Sequence, residues 1–271
     1  MTKLYGVVGD PISHSLSPVI HNAWIREHGI DASYEAMHIP KGAFAEGLET
    51  LEDRKALGLN VTSPHKEDAI ELAEGTSDVA RRIGAANTLI RLKTGGWLAE
   101  NTDAPGFTEA LNRASIEIAG QNVCLLGAGG AARAVALALS DMRATLTICN
   151  RTESRAEELV KHLNIEADIR SLDHADAEMA KADVVVNTLS LGQTGQSLEL
   201  PEGKMRTFYD ISYGKPAKAM LGKAEDSGWK TLDGLSMLVA QAAFSFEMWF
   251  GILPDMDSSL ARCRKLVEAT E

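Results

Sequence analysis

Polar and ionisable side chains stand at four points of the chain, each next to a strand-like apolar run. The four stretches cover residues 13–18, 60–66, 85–88 and 100–103. Two of them end on groups that can exchange a proton, the ammonium of Lys66 and the carboxylate of Asp103, and a third carries the amide of Asn87. Taken singly, each is most often a loop or surface residue. Because α/β proteins bind ligands at the carboxyl ends of strands, the three could meet at one acid–base site.

Two serines, Ser15 and Ser17, stand just before a predicted helix. Serine at such a junction often caps the helix, and Ser17 followed by Pro18 fits the N-cap and N1 positions. Both hydroxyls could instead donate to a substrate carboxylate, which the positive end of the helix dipole would favour. Capping is the more common role for these residue types.

One amide lies on an otherwise apolar helix face near the end of the chain. Gln241 shares this face with Met237, Phe244 and Met248. An unsatisfied buried amide costs roughly 1–3 kcal/mol, so Gln241 needs hydrogen-bond partners. A ligand hydroxyl would be one such partner, and a backbone group or a water is an equal alternative.

A glycine-rich turn with the pattern G-x-G-x-x-A follows the predicted strand 123–126 and opens the predicted helix 131–139. Gly127 permits the tight turn, Gly129 lets the backbone approach a pyrophosphate, and Ala132 keeps helix and strand close. Free amides at the helix N-terminus would bind the anion. The pattern predicts a dinucleotide site, with a plain tight turn as the alternative. The predicted contacts are Gly127, Ala128, Gly129, Gly130 and Ala131.

The next predicted strand ends at Asn150, where a site for NAD usually has an acidic residue. Here Asn150 is followed by Arg151 and Thr152, with Arg155 one turn further on. Two guanidinium groups and a hydroxyl can bind a 2′-phosphate, so these residues favour NADP. The alternative is that the arginines are solvated charges that pair with nearby glutamates.

Strand-like runs alternate with helical patterns along almost the whole chain, in two series that meet near residues 101–105. This alternation predicts an α/β protein with mainly parallel sheets. The predicted strands cover residues 4–8, 34–39, 59–62, 87–92, 123–126, 145–149, 184–187 and 207–211. The predicted helices cover 17–29, 44–51, 67–73, 107–114, 131–139, 155–163, 235–250 and 258–269.

Composition excludes several classes of protein. The net charge of −11 argues against a nucleic-acid partner, which needs concentrated lysine and arginine. No apolar run is long enough to span a bilayer and no signal peptide opens the chain, so we expect a cytoplasmic protein without a membrane partner. Three scattered cysteines are read as buried apolar residues, and the histidines lack metal-ligand spacing, so no metal is expected.

Taken in order, the motifs resemble those of the shikimate dehydrogenase family over essentially the whole chain. They are the serine-rich start, Asn-Val-Thr-x-Pro-x-Lys at 60–66, Ala-Asn-Thr at 86–88, Asn-Thr-Asp at 101–103, Gly-Ala-Gly-Gly-Ala at 127–131, Asn-Arg-Thr at 150–152, and the closing stretches 234–241 and 245–249. No single motif is unique to the family, but the ordered set is specific.

The resemblance implies a substrate domain formed by residues 1–103 and 238–271, and a Rossmann-type NADP domain formed by residues 104–237, with a cleft between them. It implies the reversible NADP-dependent reduction of 3-dehydroshikimate to shikimate, in chorismate and aromatic amino-acid biosynthesis. The expected partners are this small-molecule substrate and a cofactor, in a monomer or homodimer.

The resemblance also implies roles for individual residues. Lys66 and Asp103 correspond to the catalytic lysine and aspartate, although the residues leave open whether Lys66 acts as acid, base or electrostatic stabiliser. The implied substrate-binding residues are Ser15, Ser17, Thr62, Asn87, Gln241 and Tyr213. Gly234 and Met237 are expected near the nicotinamide.

The chain departs from the family pattern at residues 188–192 and 211–216, both expected near the cofactor. Three alternative functions stay open at this point. One is dehydrogenation of quinate or an aminoshikimate within the same family, and the second is NADP binding without turnover by a regulatory protein. The third, a folate dehydrogenase of related plan, is disfavoured by the serine pair and Gln241.

Overall fold

The computed structural model describes residues 2–191 and 198–270 of the chain. Gly192, the last residue of the first departure from the family pattern, lies outside the described residues. Internal contacts divide the chain into two compact units. The first unit comprises Met1–Gly106 and Leu238–Leu260, and the second unit comprises Phe107–Met237 and Ala261–Glu271.

The division differs from the sequence-based boundaries at two points. It falls after Gly106 rather than after residue 103, and it assigns Ala261–Glu271 to the second unit rather than to the first. Contacts within the second unit explain the latter assignment. Arg264 lies 3.3 Å from the Asp233 carboxylate, and Val267 packs next to Gly214.

The described helices are distributed over both units. They are α1 (Ser17–Glu27), α2 (Phe44–Asp53), α3 (Asp68–Glu71), α4 (Asp78–Ile83), α5 (Asp103–Arg113), α6 (Gly130–Asp141), α7 (Glu153–Leu163), α8 (Ala175–Lys181), α9 (Lys215–Asp226), α10 (Leu235–Phe250) and α11 (Met256–Thr270). The amphipathic pattern of α2 explains its packing, because Phe44, Leu48 and Leu51 repeat at helical spacing and are the residues it buries.

The first unit is built on a six-stranded sheet in the order β2-β1-β3-β5-β6-β4. Its strands are β1 (Lys3–Gly9), β2 (Ala32–His38), β3 (Ala56–Val61), β4 (Gly75–Thr76), β5 (Thr88–Arg91) and β6 (Trp97–Glu100). Strand β5 runs antiparallel to both of its neighbours, and the other three pairings are parallel. The predicted, mainly parallel sheet is therefore confirmed, with one antiparallel strand inserted.

Helix α10 packs against this sheet. The Trp249 indole nitrogen donates to the carbonyl of Leu89 at 3.2 Å, and Trp249 packs directly on the backbone of Gly58. The ring of Tyr5 lies 5.3 Å from the Trp249 ring. The C-terminal segment therefore supplies side chains to the first sheet, beside strands that are distant in sequence.

The second unit is built on a six-stranded sheet in the order β12-β11-β10-β7-β8-β9, in which every pairing is parallel. Its strands are β7 (Asn122–Leu126), β8 (Thr145–Asn150), β9 (Asp168–Ser171), β10 (Val184–Asn187), β11 (Thr207–Asp210) and β12 (Lys230–Leu232). The chain order reverses between β7 and β10. This is the doubly wound arrangement, whose switch point is where such sheets bind dinucleotides.

Seven elements were not predicted from the sequence. They are β4, α4, β6, β9, α8, α9 and β12, and a 3₁₀ turn at Leu172–His174 precedes α8. Most are short or lie at a sheet edge, where few apolar residues mark them. Helix α5 also begins earlier than predicted, at Asp103 instead of residue 107, so Asp103 lies in the first turn of a helix. Within residues 2–191 and 198–270, no helix combines the length and the apolar character needed to cross a membrane.

Candidate active site

Lys66 and Asp103 form a close ion pair in the first unit. The Lys66 ammonium donates to Asp103 Oδ2 at 2.6 Å, and the two side chains are 15% and 7% exposed. The predicted pair is therefore brought together, although the residues are far apart in sequence. Both charges are largely removed from water, so each depends on the other for compensation.

The turn after β3 positions Lys66 through backbone hydrogen bonds. The amide of Ala86 donates to the Lys66 carbonyl at 2.8 Å, and the amide of Thr62 donates to the Val8 carbonyl at 2.9 Å. Next to Lys66, the buried His65 ring nitrogen lies 2.7 Å from the Ile39 carbonyl oxygen. The turn is thus anchored on both sides, which fixes where the lysine side chain begins.

Asp103 is held by two amide side chains from neighbouring segments. Its own backbone N–H donates to Asn101 Oδ1 at 3.0 Å, and Asn87 Nδ2 donates to Asp103 Oδ1 at 2.9 Å. The carboxylate therefore accepts from Asn87 on one oxygen and from Lys66 on the other. Its position in the first turn of α5 adds a favourable interaction with the positive end of the helix.

Gln241 lies in the same cluster. Its Oε1 accepts from Asn87 Nδ2 at 3.2 Å, and its Nε2 donates to the Leu238 carbonyl at 2.8 Å. The Leu238 carbonyl is therefore the backbone partner that one of the two alternatives for Gln241 predicted. Helix α10 comes very close to α5 here, because a Cβ added to Gly106 would lie 2.8 Å from the Gln241 Cβ.

The expectation that Ser17 caps α1 is wrong. The N-cap residue is Leu16, without a side-chain cap, and Ser17 is already the first residue of the helix. Ser15 provides the local bond instead, because the Ser17 amide donates to Ser15 Oγ at 3.2 Å. The Ser17 side chain is buried near Tyr34, whose hydroxyl donates to Asn60 Oδ1 at 2.6 Å; burial raises the pKa of Tyr34 well above its usual range, and Ser17 opposes this. Ser17 is therefore part of the polar interior of the first unit.

The glycine-rich turn of the second unit has the backbone geometry that was predicted. Gly127 adopts a φ of 111°, and a side chain there would collide with Thr188 Oγ1 at 2.4 Å. A Cβ on Gly129 would meet no atom within 4 Å, which leaves space against the backbone for a pyrophosphate. Gly129 caps α6 without a side chain, so the first amides of the helix have no side-chain acceptor from the cap residue. These residues fit a dinucleotide.

The end of β8 also fits the predicted 2′-phosphate site. The side-chain nitrogen of Asn150 donates to the Thr152 carbonyl at 2.8 Å, which holds the loop that follows the strand. Arg151, Thr152 and Arg155 are exposed. Other arginines form ion pairs, but among the residues that the structure describes neither Arg151 nor Arg155 does so, and the alternative pairing with glutamates has no support.

Gly234, Met237 and Tyr213 lie at or near the end of the second sheet. Gly234 is fixed by its surroundings, because a Cβ there would lie 1.9 Å from the Ile211 carbonyl oxygen. Its amide donates to the Ser212 carbonyl at 2.8 Å. Met237 is buried and Tyr213 is half-buried. The structure assigns these three residues to the second unit and Lys66 and Asp103 to the first.

Several polar residues that contact the predicted ones were assigned no role from the sequence. Thr102 N donates to Asn87 Oδ1 at 2.7 Å, and Ser245 lies among Asn60, Thr88 and Thr102. One signal for Ser245 was present in the sequence, because it follows Gln241 by four residues and so shares its helix face. Its partners come from three separate segments, which no local pattern brings together. In the described part of the chain, no group of three or more His, Cys, Asp or Glu side chains is arranged to hold a metal.

Family models match almost the entire chain. Residues 7–89 match the shikimate dehydrogenase substrate binding domain, residues 109–236 match shikimate / quinate 5-dehydrogenase, and residues 234–257 match the shikimate 5′-dehydrogenase C-terminal domain. A curated relative, shikimate dehydrogenase (NADP(+)) of Hyphomonas neptunium, is 57% identical over 270 residues, which cover 100% of both chains.

Two solved structures agree with the family models. A shikimate dehydrogenase of Aquifex aeolicus has a TM-score of 0.86 at 36% identity, with 96% of each chain covered. Shikimate 5-dehydrogenase of Thermus thermophilus, in complex with NADP(H) and shikimate, has a TM-score of 0.84 at 34% identity, and the match covers 97% of this chain and 99% of that one.

The doubly wound second unit with its glycine-rich turn, together with the lysine–aspartate pair of the first unit, defines the class of nicotinamide-dependent oxidoreductases. The chain belongs to the shikimate dehydrogenase family. The family assigned from the ordered motifs and the α/β fold are both confirmed.

Proposed function

We propose that this chain catalyses the reversible, NADP-dependent reduction of 3-dehydroshikimate to shikimate, a step in chorismate and aromatic amino-acid biosynthesis. The observation that carries the proposal is the 2.6 Å contact between the Lys66 ammonium and Asp103, whose other oxygen is bound by Asn87. A ketone reduction needs one proton at the carbonyl oxygen, and this pair is built to hold one. The 57% identical shikimate dehydrogenase (NADP(+)) supports the same reaction.

In this proposal Lys66 exchanges the proton with the substrate oxygen. NADPH supplies the hydride when it is bound. The neighbouring Asp103 carboxylate compensates the charge of the Lys66 ammonium, which suits Lys66 to donate a proton or to stabilise a developing alkoxide. In the oxidation direction the same nitrogen accepts the proton back, with Asp103 as the compensating charge.

The remaining polar residues of the first unit are proposed to bind the substrate. Ser15 and Ser17 would donate to its carboxylate, assisted by the dipole of α1. Thr62, Asn87 and Gln241 would bind its hydroxyl groups. The amides of Asn87 and Gln241 are already fixed by hydrogen bonds, so they would meet the ligand preorganised. Tyr213 of the second unit is proposed as a further substrate contact.

NADP is proposed to bind the second unit. The turn Gly127, Ala128, Gly129, Gly130 and Ala131 would bind the pyrophosphate, and Gly234 and Met237 would lie near the nicotinamide. Asn150, Arg151, Thr152 and Arg155 would bind the 2′-phosphate, since exposed guanidinium groups can form bidentate bonds with it.

These assignments make the first unit the substrate-binding part of the chain and the second unit the NADP-binding part. We further propose a cytoplasmic location. The buried thiols of Cys124 and Cys149 lie 3.8 Å apart in the second sheet and are free, as a reducing compartment would keep them. A monomer or a homodimer is proposed, because one chain supplies every proposed site residue.

The test is steady-state oxidation of shikimate and of quinate, each with NADP and with NAD. We expect the highest kcat/KM for shikimate with NADP. A higher kcat/KM for quinate would identify a quinate dehydrogenase, and a preference for NAD would contradict the role given to Arg151 and Arg155. NADP binding without turnover of either acid would support a regulatory protein instead.

A further inference from the structure

The hydroxyl of Ser245 connects four segments of the first unit. Ser245 is fully buried in α10 and its Oγ lies 3.0 Å from the Gln241 carbonyl one turn earlier. From the sheet, Asn60 Nδ2 donates to the same oxygen at 2.9 Å. The hydroxyl oxygens of Thr88 and Thr102 lie 2.8 Å and 3.1 Å from it.

A count of protons limits how these groups can bond. A hydroxyl donates once and accepts twice. The Gln241 carbonyl can only accept, so Ser245 donates to it, and the Asn60 amide fills one of the two acceptor positions of Ser245. One acceptor position is left for a threonine hydroxyl. The hydroxyl oxygens of Thr88 and Thr102 each lie 3.1 Å from a second acceptor, Asn87 Oδ1. One threonine hydroxyl can therefore donate to Ser245 while the other donates to Asn87.

The Thr102 backbone N–H and this cluster of hydroxyls together set the orientation of the Asn87 amide. Its oxygen accepts from the Thr102 backbone at 2.7 Å and from a threonine hydroxyl, so its nitrogen must face the other way. This nitrogen donates to Asp103 Oδ1 at 2.9 Å, lies 2.9 Å from the Thr102 hydroxyl oxygen, and approaches Gln241 Oε1 at 3.2 Å. Asp103 Oδ2 is thereby left to Lys66.

We propose that Ser245 is a positioning residue, whose hydroxyl acts through those of Thr88 and Thr102 to hold Asn87 in the orientation that presents Asp103 to Lys66. The inference rests on the proposed function, because it concerns the same site. It adds a residue that touches none of the reacting groups. Without the Ser245 oxygen, the two threonine hydroxyls lose an acceptor, and only the Thr102 backbone N–H still holds the Asn87 oxygen firmly.

The experiment compares Ser245→Ala with Ser259→Ala. Ser259 is a matched control, because it is also buried in the first unit but its hydroxyl has no hydrogen-bond partner among the described residues. For Ser245→Ala we expect kcat/KM for shikimate to fall about 10- to 100-fold, in line with the cost of a displacement of about 1 Å at a reacting centre. The KM for NADP should change less than about twofold, and Ser259→Ala should behave as wild type.

Two further measurements separate positioning from general stability. The pH profile of kcat/KM should shift in Ser245→Ala, because Asn87 then holds Asp103 Oδ1 less firmly beside the proton-exchanging lysine. Ser245→Thr, which keeps a hydroxyl at this position, should be more active than Ser245→Ala. If Ser245→Ala does not fold, Ser245→Cys replaces the hydroxyl by a thiol, which is a much weaker acceptor, and we expect the same kinetic changes for it.

The outcomes distinguish this inference from the proposed function. Wild-type protein without shikimate turnover would refute the function. An active wild type with unchanged kcat/KM and pH profile in Ser245→Ala would refute the positioning role alone. An equal loss toward shikimate and NADP, with an unshifted pH profile, would also overturn it, because it would reflect a general loss of folded protein.

Discussion

At the scale of single residues, Lys66 is the group whose removal should affect the chemical step most. Its ammonium is mostly buried and contacts Asp103 at 2.6 Å. We expect Lys66→Ala to lower kcat at least a hundredfold, within the ~10²–10⁴ typical of lost acid–base catalysis, and to change KM for shikimate much less. Steady-state kinetics with saturating NADP measure both constants. The exposed Lys93→Ala provides the control. A large rise in KM at near-normal kcat would make Lys66 a binding residue.

The sequence predicted Lys66, Asn87 and Asp103 better than the serines Ser17 and Ser245. Lys66, Asn87 and Asp103 stand beside strand-like runs, where parallel topology brings polar groups together, and the structure brings them into contact. Ser17 was assigned a cap from local chemistry, but its helix starts one residue earlier than the capping pattern requires. Ser245 could not be assigned, because its hydrogen-bond partners are fixed by the pairing of β3 with β5 and the packing of α10.

At the scale of elements, β10 and β11 end in a buried pair. Asn187 and Asp210 are directly opposite in the strand register, and Asn187 Nδ2 donates to Asp210 Oδ2 at 2.9 Å. Asp210 Oδ1 accepts from both the amide and the hydroxyl of Ser212, and Asn187 Oδ1 accepts from the Leu189 amide at 3.1 Å. Burial raises the pKa of Asp210, and its hydrogen bonds with Ser212 and Asn187 oppose the rise. The pair therefore fixes the two loops that follow these strands.

Exchanging the two residues tests this pairing. Asp210→Asn alone should destabilise the protein, because both Asp210 oxygens accept and the new amide nitrogen must face a donor of either Asn187 or Ser212. Asn187→Asp alone should also destabilise the protein, because two carboxylates would then face each other. The double exchange restores a donor and an acceptor, so we expect a coupling free energy of about 1–3 kcal/mol from denaturant unfolding of all four proteins.

The same sheet offers a matched control at the other end of its strands. The Asn122 side-chain nitrogen lies 3.3 Å from the Asp183 carboxylate, which also accepts from the Asn122 backbone N–H at 2.9 Å, and Asn122 is exposed. The exchange of Asn122 and Asp183 should give a coupling below about 1 kcal/mol, because water competes for both groups. Equal coupling at the two ends would contradict the importance of burial for the Asn187–Asp210 pair.

The elements that the sequence predicted are those with strong apolar periodicity. Strand β10 and helix α10 were predicted with the bounds that the structure has, since one is uniformly buried and the other is apolar over 16 residues. Strand β12 has three residues at a sheet edge, and β4 has two, so neither contains enough residues for a pattern to form. Such short strands exist because a neighbouring strand pairs with them, which depends on tertiary structure.

At the scale of the whole molecule, the sequence predicted two α/β series but not how the C-terminal residues are divided between the two units. The helical pattern of α11 gives its length, and α11 continues from the first unit into the second at Leu260. Which sheet a terminal helix packs against is set by contacts that are distant in sequence, such as Arg264 with Asp233. Periodicity identifies the buried face of a helix without identifying what covers it.

Stability against acid is also a property of the whole molecule, and one buried histidine should contribute to it. His21 is fully buried, and its ring stacks on Tyr34 with the ring centroids 4.1 Å apart. Burial lowers the pKa of His21 to about 3, with partial opposition from the Asn60 amide, against 6.5 for an exposed histidine. Between these values the unfolded chain binds a proton that the folded chain does not, so stability falls as the pH falls.

Replacing His21 by phenylalanine should weaken this dependence, because Phe can keep the stacking on Tyr34 but cannot titrate. Between pH 7 and pH 5 the free energy of unfolding should fall about 2 kcal/mol less in His21→Phe than in wild type, as about 1.4 kcal/mol per pH unit and proton requires. Urea unfolding at several pH values measures the difference. His28→Gln removes an exposed histidine at the end of the same helix and should follow wild type. Parallel curves for wild type and His21→Phe would mean that His21 is not neutral in the folded protein, or that its ring becomes solvated before the molecule unfolds.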